Sequence, residues 1–266
     1  MAIVTRQTGD LLYLVDESIQ TPHAFTTRLG GVSSGIFSSL NLGINTGDSP
    51  EHIAENYRRI TRVLGTTPEH LALSRQVHGD AVRVMEAEDK LKDLFQPIPY
   101  EADGLVTGEA GLALAIFTAD CVPILLWDAE TGSVGAVHAG WRSTVMDIAG
   151  KAVSKLSHTL GAKPKHIRAA IGPCIGLCCF ETGPEVPQAV TECLGFDTAN
   201  CITDGENGKN MVDLKEVNRR LLVQSGLLPE HISTAEHCTM CMPETFWSHR
   251  ATKGKRGSQA AMILRA

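Results

Sequence analysis

The amino-acid sequence lacks the features that define several large protein classes. Its 266 residues contain no apolar run of about 18 residues, so we expect no membrane-spanning segment. Residues 1–20 carry no apolar signal core, which favours a cytoplasmic protein. The net charge of −6 provides no basic surface for nucleic acid, and the basic stretch at 253–256 (KGKR) is too short to provide one. Neither a Gly-x-Gly-x-x-Gly motif nor a Walker loop is present, which excludes the nucleotide-phosphate folds of those kinds.

The cysteines are too few for a disulfide scaffold, since a chain of this length contains only eight of them. Five fall in two short segments, with Cys174, Cys178 and Cys179 in the first and Cys238 and Cys241 in the second. The second pair has a Cys-x-x-Cys spacing that suits zinc, but the segments lie about 60 residues apart, whereas zinc ribbons have closer pairs. We therefore expect buried free thiols, with a second, structural zinc site as the alternative.

The order of apolar and polar segments indicates one domain over residues 1–266, because repeats, low-complexity segments and Pro/Ser-rich linkers are absent. Residues 21–48 are predicted to form a loop, and a helix is predicted from the cap at Ser49 to about Leu64. Strands and helices then alternate without a strict βαβ order, which favours an α+β fold with a mixed sheet. The predicted strands cover about 112–117, 122–127, 133–139, 166–171, 232–237 and 259–264, and the further helices cover about 143–160, 184–194 and 212–225.

Three dispersed side chains, His78, Cys121 and His138, form a ligand set that suits zinc. Three protein ligands leave a fourth position for water or substrate, as catalytic zinc sites require. Cys121 follows one predicted strand and His138 lies near the end of another, and strand ends are rigid supports for a site. A lone histidine or cysteine is more often a core or surface residue, but the Asp120 carboxylate and the neighbouring glycines favour a ligand site. The sequence therefore predicts a metal-dependent enzyme.

Six motifs, in order along the chain, resemble those of the YfiH/YlmD family, whose members have also been described as laccase-domain or polyphenol oxidase proteins. The DC and HAGWR motifs are the most specific of them, and the resemblance covers nearly the whole chain. The motifs are 39–43 (SLNLG), 76–79 (QVHG), 102–105 (ADGL), 118–123 (TADCVP), 135–142 (GAVHAGWR) and 171–175 (IGPCI).

The resemblance implies a single α+β domain with mixed β-sheets in layers and helices packed outside. It also implies a zinc ion held by His78, Cys121 and His138, which would be both the metal ligands and the catalytic group. The implied substrates are purine nucleosides and phosphate, with phosphorolysis to the free base and ribose 1-phosphate and deamination of adenosine to inosine and ammonia. The oligomeric state stays open.

The candidate substrate contacts are Asn41, Arg75, Arg142 and Arg250, with Lys253 as a further basic side chain for phosphate. The family usually has two adjacent arginines near the C-terminus. This sequence instead has Arg250 followed by alanine, and its next arginine is at position 256. Which basic residues hold the anionic group is therefore left open by the sequence.

Other functions stay open alongside this one. A multicopper oxidase usually presents its many imidazoles in His-x-His pairs, and none of the ten histidines here is two residues from another. The His/Cys set would hold a single Cu²⁺, so we expect weak, copper-dependent oxidase activity at most. A hydrolase acting on a peptidoglycan precursor would use Cys121 as nucleophile, His138 as base and Asp120 as the residue that orients the base. The cysteine segments would also fit a non-catalytic redox or metal-binding protein.

Overall fold

Two six-stranded β-sheets form the centre of the structure, a computed structural model that describes residues 2–195, 198 and 200–266. The first sheet has the strand order β1-β2-β3-β15-β7-β4 and the second β14-β10-β8-β9-β6-β5, and a small third sheet has the order β11-β13-β12. The strands are β1 (Ile3–Thr8), β2 (Leu11–Asp16), β3 (His23–Thr26), β4 (Leu71–Ala72), β5 (Val82–Val84), β6 (Gly104–Thr107), β7 (Ala113–Thr118), β8 (Val122–Asp128), β9 (Val134–Ala139), β10 (Ile167–Ile171), β11 (Glu181–Thr182), β12 (Ile202–Asp204), β13 (Asn210–Val212), β14 (Ile232–Thr234) and β15 (Gln259–Leu264). The helices are α1 (Pro50–Val63), α2 (Trp141–Val145), α3 (Ile148–Leu160), α4 (Glu185–Leu194), α5 (Leu214–Gln224) and α6 (His249–Thr252).

The sheets and helices pack in four layers, which are α1, the first sheet, the second sheet, and α3 with α5. Neighbouring side chains of a strand point to opposite faces of its sheet, so each central strand packs against two layers. Along β7, Ala113 and Ala115 pack against α1, whereas Leu114 and Ile116 face the second sheet. The second sheet buries its other face against α3 and α5, with Leu126 among the residues of that interface. Because both faces of the central strands are buried, their sequences are continuously apolar. This arrangement confirms the expected α+β fold with layered sheets and outer helices.

Both large sheets contain parallel and antiparallel pairs, as expected. Most neighbours are antiparallel, such as β8 with β9, while β4 with β7, β5 with β6 and β10 with β14 are parallel. No helix in the described part of the chain is long and apolar enough to span a membrane.

Several predicted elements need correction. The helix predicted over 143–160 is two helices, because Asp147 has a left-handed φ of 55° and its side chain caps α3 by accepting a hydrogen bond from the backbone N–H of Gly150. The predicted loop at 21–48 contains β3, which pairs with β15. The strand predicted over 232–237 ends at Thr234. The hairpin of β1 and β2 had no counterpart in the prediction. By contrast, α1 starts after Ser49 as predicted, with the Ser49 side chain as its cap.

The connections that carry the candidate site pass from one sheet to the other. The segment after β4 leaves the first sheet and enters the second at β5, and the turn 119–121 joins β7 of the first sheet to β8 of the second. His78 lies on the first connection and Cys121 on the other, whereas His138 lies within β9. The site therefore forms where the two sheets meet at one end.

Candidate metal centre and substrate cavity

The structure brings His78, Cys121 and His138 together, although they are dispersed in the sequence. One ligand atom from each lies within 4.8 Å of those of the other two. The Cys121 Sγ is 3.8 Å from the His78 Nε2, and the two imidazole rings meet edge to face with centroids 4.8 Å apart. His138 is buried, Cys121 is half-buried and His78 is exposed. The predicted triad is therefore one site with an open side.

Strand register explains how Cys121 and His138 meet. In the β8–β9 pair Val122 lies opposite Ala139, so the next position along places Cys121 opposite Gly140. A Cβ on Gly140 would lie 2.9 Å from the His78 Cδ2 and 3.4 Å from the Cys121 Sγ. Only glycine therefore lets the strand end approach both ligands without displacing one of them.

Asp103 fixes the positions of His78 and His138 through hydrogen bonds. The prediction did not include Asp103 among the site residues. Its buried carboxylate accepts a 2.7 Å hydrogen bond from the His138 Nδ1 and one of 3.0 Å from the backbone N–H of His78. Its other oxygen accepts from the backbone N–H groups of Val77 and Gly79 at 3.0 and 2.9 Å. A carboxylate on one imidazole nitrogen directs the other nitrogen toward a metal, as in carboxylate–histidine–metal sites.

The electrostatics of the site favour a charged pair in the metal-free protein. Burial acts to raise the pKa of Cys121, but the charge and hydrogen bonds of His138, with a smaller effect of His78, lower it to about 6. Burial acts to lower the pKa of His138, but the Cys121 thiolate and the Asp103 carboxylate raise it to about 9. Burial likewise acts to raise the pKa of Asp103, but its hydrogen bonds hold it below the usual value. Cys121 is thus held as the thiolate, which is the form that binds metals.

The donor set fits a zinc ion. Zinc bond lengths to sulfur and imidazole nitrogen place tetrahedral S and N ligands about 3.6 Å apart. The 3.8 Å between the Cys121 Sγ and the His78 Nε2 is close to that separation. Three donors on one side leave the fourth direction free for water or substrate. The same residues can also hold one copper ion.

A cavity of about 1040 Å³ opens over the triad. This volume lies at the upper end of the range for small-molecule sites. Arg250 and Arg256 lie on its wall beside Asp120: the backbone N–H of Arg250 donates to the Asp120 Oδ2 at 2.7 Å, and the charges of Asp120 and Cys121 act on Arg256. The wall includes the three candidate ligands, the aromatic rings of Phe95, Phe117, Trp141 and Phe180, and the side chains of Arg75, Arg250 and Arg256.

Arg256 is the second residue that the prediction did not include. Burial lowers its pKa, against the charges of Asp120 and Cys121. Its Nη1 donates to the Gly257 carbonyl and to Ser258, while its buried Nε has no hydrogen-bond partner. The basic stretch at 253–256 was the sequence signal for it, but only the path of the chain after α6 shows which of its side chains enters the cavity.

The predicted substrate contacts occupy different places. Arg75 lies at the cavity with its side chain 62% exposed and paired to Glu101 at 2.8 Å. Arg142 and Lys253 are exposed and do not line the cavity, and the Arg142 guanidinium stacks 4.3 Å from the Trp141 ring centroid. The structure therefore places Arg142 outside the cavity, whereas Arg75 lies at it.

Asn41 is fully buried behind the cavity wall rather than on it. Its amide nitrogen donates to Thr46 and Asp48, and its amide oxygen accepts from the backbone N–H groups of Gly43 and Ser258. With these hydrogen bonds inside the protein, Asn41 holds together two wall segments, 43–46 and 256–258.

Asp120 does not orient the base, contrary to the arrangement predicted for a hydrolase. Its Oδ1 accepts from the Thr239 hydroxyl at 2.7 Å and its Oδ2 from the backbone N–H of Arg250. Its φ of 91° turns the chain sharply between β7 and β8. Asp103 holds His138 instead, so Asp120 fixes the turn that presents Cys121.

The two cysteine segments also meet. All five thiols are free as expected, and Cys174 and Cys238 are buried as expected, but Cys178 and Cys241 are exposed and Cys179 is half-buried. Ligand atoms of Cys178, Cys179, Cys238 and Cys241 lie within 4.8 Å of one another.

The layered α+β fold, with a cavity of about 1040 Å³ opening over a histidine–cysteine–histidine site, is that of an enzyme with a metal-competent centre. The family model described as multi-copper polyphenol oxidoreductase laccase matches residues 22–266, and the chain belongs to this family, as the predicted YfiH/YlmD resemblance indicated. The purine nucleoside phosphorylase YlmD of Geobacillus stearothermophilus is 37% identical over 90% of this chain and 88% of its own.

Two further comparisons agree with this assignment. The adenosine deaminase RL5 of an unknown prokaryotic organism is 34% identical over 88% of this chain and 90% of its own. The crystal structure of YlmD from Geobacillus stearothermophilus superposes with a TM-score of 0.92 at 33% identity, covering 99% of both chains.

Proposed function

We propose that this protein is a zinc-dependent purine nucleoside phosphorylase that also deaminates adenosine. The supporting observation is one cavity whose wall combines the His78, Cys121 and His138 triad with aromatic rings and arginines. A purine base can stack on aromatic faces, and guanidinium groups suit phosphate. The names of the curated relatives, several of them purine nucleoside phosphorylases and one an adenosine deaminase, supply the reaction classes.

The triad and Asp103 would provide the metal-dependent part of the chemistry. His78, Cys121 and His138 would hold the zinc ion, which would supply Lewis acidity and a nucleophile at neutral pH for deamination at C6 of adenosine. Asp103 keeps the proton of His138 on Nδ1, so that Nε2 is free as a ligand. The three backbone N–H groups that bind the same carboxylate fix the loop that carries His78.

We assign the phosphate contact to Arg256 and Arg250 instead of Arg142. Both line the cavity, and the unpartnered buried Nε of Arg256 has a hydrogen bond to give. In phosphorolysis an oxygen of hydrogen phosphate bonds to C1′ of the ribose, the C1′–N9 bond breaks, and the base leaves with the proton that the phosphate gives up. The arginines neutralise the attacking anion and hold it in place. Asn41 takes a positioning role, because it ties the segment of Arg256 to the neighbouring wall segment 43–46.

The test is a nucleoside assay with and without phosphate, on protein whose zinc content has been measured. Adenosine and inosine should give free base and ribose 1-phosphate only with phosphate, whereas adenosine should give inosine and ammonia in both cases. Cys121→Ala should lose the metal of the triad and both activities. Full zinc content and full activity in Cys121→Ala, or release of free ribose without phosphate, would refute the proposal.

A cysteine hydrolase is the second candidate, and one observation favours it. The Cys121 thiolate interacts with the His138 imidazole, which in turn donates to the buried Asp103 carboxylate. Nucleophilic cysteine enzymes require this chain of contacts. Such an enzyme would work without metal. The Cys121 thiolate would attack the amide carbonyl, the C–N bond would break, the amine would leave with a proton from His138, and water would then hydrolyse the thioester. A chelator separates the two candidates, because it should abolish the zinc activities and leave the hydrolase active.

A further inference from the structure

The side chains of four cysteines, Cys178, Cys179, Cys238 and Cys241, form a cluster that the proposed reaction does not use. They come from the segment after β10, which carries Cys178 and Cys179, and from the segment after β14, which carries Cys238 and Cys241. The Cys241 Sγ is 3.5 Å from that of Cys178 and 3.3 Å from that of Cys179. All four sulfur atoms lie within 4.8 Å of one another.

We propose that these four thiolates bind a second, structural zinc ion. Tetrahedral zinc with Zn–S bonds of about 2.3 Å places its sulfur ligands about 3.8 Å apart, close to the separations found here. Four thiolates fill the coordination sphere, as in structural sites and unlike the triad with its open side. On binding, each thiol loses its proton and each sulfur donates an electron pair to the ion.

A disulfide explains the cluster less well. The Cys241 Sγ contacts two sulfur atoms, whereas a disulfide would join it to only one of them and leave two cysteines of the cluster outside the bond. The backbone N–H of Gly176 donates to the Cys238 Sγ at 3.2 Å, an arrangement that stabilises a thiolate ligand. A Cβ on Gly176 would lie 3.4 Å from the Cys178 Sγ and from the Cys238 Cβ, so a residue without a side chain fits closely between the two segments.

The position of the cluster indicates which part of the structure a bound ion would stabilise. Cys174 and Cys238 already form a one-residue parallel bridge between the two segments. Thr239, next to Cys238, donates to Asp120, which in turn accepts from the backbone N–H of Arg250. An ion that joins the segments would therefore fix the wall of the cavity that carries Arg250, from a site outside the cavity.

Metal analysis of four proteins tests the proposal independently of any activity. Purified under reducing conditions with zinc, the wild type should contain two zinc ions per chain, and Cys178→Ser/Cys241→Ser and Cys121→Ser should each contain one. Cys174→Ser is the matched control, since its sulfur lies in the same region but outside the cluster, and it should keep two. Cobalt substitution should give thiolate-to-cobalt charge-transfer bands of a four-sulfur site that persist in Cys121→Ser and vanish in the double variant.

A second measurement on the wild type keeps the test valid if a variant folds poorly. A maleimide reagent should modify Cys178 and Cys241, which are exposed, only after a chelator has removed the ion. Immediate modification together with one zinc per chain would overturn the proposal, as would a mass lowered by the two hydrogen atoms of a disulfide. If Cys121→Ser loses nucleoside activity but retains one zinc ion, the cysteine cluster binds that ion. This result does not depend on which reaction the first site catalyses.

Discussion

Replacement of Asp103 by asparagine would separate the role of this carboxylate in metal binding from its role in stability. One oxygen of Asp103 accepts from His138 and from the backbone of His78, and the other accepts from the backbones of Val77 and Gly79. An asparagine amide can accept on one side only, so in either orientation its NH₂ group faces two N–H donors that the carboxylate had satisfied, and most of these donors are only partly buried. Each unsatisfied donor costs about 1–3 kcal/mol, so Asp103→Asn should lose roughly 2–6 kcal/mol of unfolding free energy.

The same substitution should weaken zinc binding about 10–100-fold, which is the usual effect of removing the hydrogen-bond partner of a metal ligand. Chelator competition measures the affinity, and denaturant unfolding of the metal-free protein measures the stability. Asp128→Asn is the matched control, because Asp128 is equally buried and accepts from Glu130 and Thr131 at the far end of β8. It should lose stability and keep its zinc affinity. Wild-type zinc affinity in Asp103→Asn would refute the assigned role of this carboxylate.

Three further predictions concern the same site. Arg256→Ala should raise the activation free energy of phosphorolysis by about 1.5–3 kcal/mol, which lowers kcat/KM roughly 10–100-fold, and should affect deamination much less. Arg142→Ala is the control and should change either activity very little. Equal loss of both activities in Arg256→Ala would contradict the phosphate assignment. Zinc binding to the triad at neutral pH should release about one proton, measured in Cys178→Ser/Cys241→Ser so that the cysteine cluster does not contribute. The proton comes from His138, whose pKa of about 9 keeps it protonated without metal, whereas Cys121, with a pKa of about 6, is already ionised. Calorimetry in buffers of different ionisation enthalpy measures this release, and no release would refute the charged pair. Gly140→Ala should weaken zinc binding, because its Cβ would lie 2.9 Å from an imidazole carbon; unchanged affinity in a chelator titration would show that the ring moves aside freely.

Local signals in the sequence predicted much of the fold. The Ser49 cap and the apolar face of α1 act within one segment, so the helix was predictable. The break at Asp147 was not, because the apolar pattern continues through it and only the left-handed backbone there separates α2 from α3. The N-terminal hairpin was missed because its exposed strand alternates too weakly for a period-two signal.

The candidate site shows the same division. The triad followed from ligand chemistry and from motifs at predicted strand ends, and the structure brings its members together. Asp103 was not predicted because its role depends on packing between β6, β9 and the loop after β4, which lie far apart in the sequence. The positions of Arg142 outside the cavity and of Arg256 on its wall were not predictable for a similar reason. The direction of each guanidinium depends on the backbone path around it, and neighbouring residues in the sequence do not reveal that path.

The passage of two connections between the sheets has a consequence for the order of folding. His78 and Cys121 each lie between a strand of one sheet and a strand of the other, so neither half of the structure contains the triad by itself. The triad can therefore assemble only after the two sheets have docked, through contacts that are distant in the chain and slow to form. Zinc binding to the triad during refolding would therefore report that the two sheets have docked. Because the triad forms late, added zinc should slow unfolding without accelerating refolding.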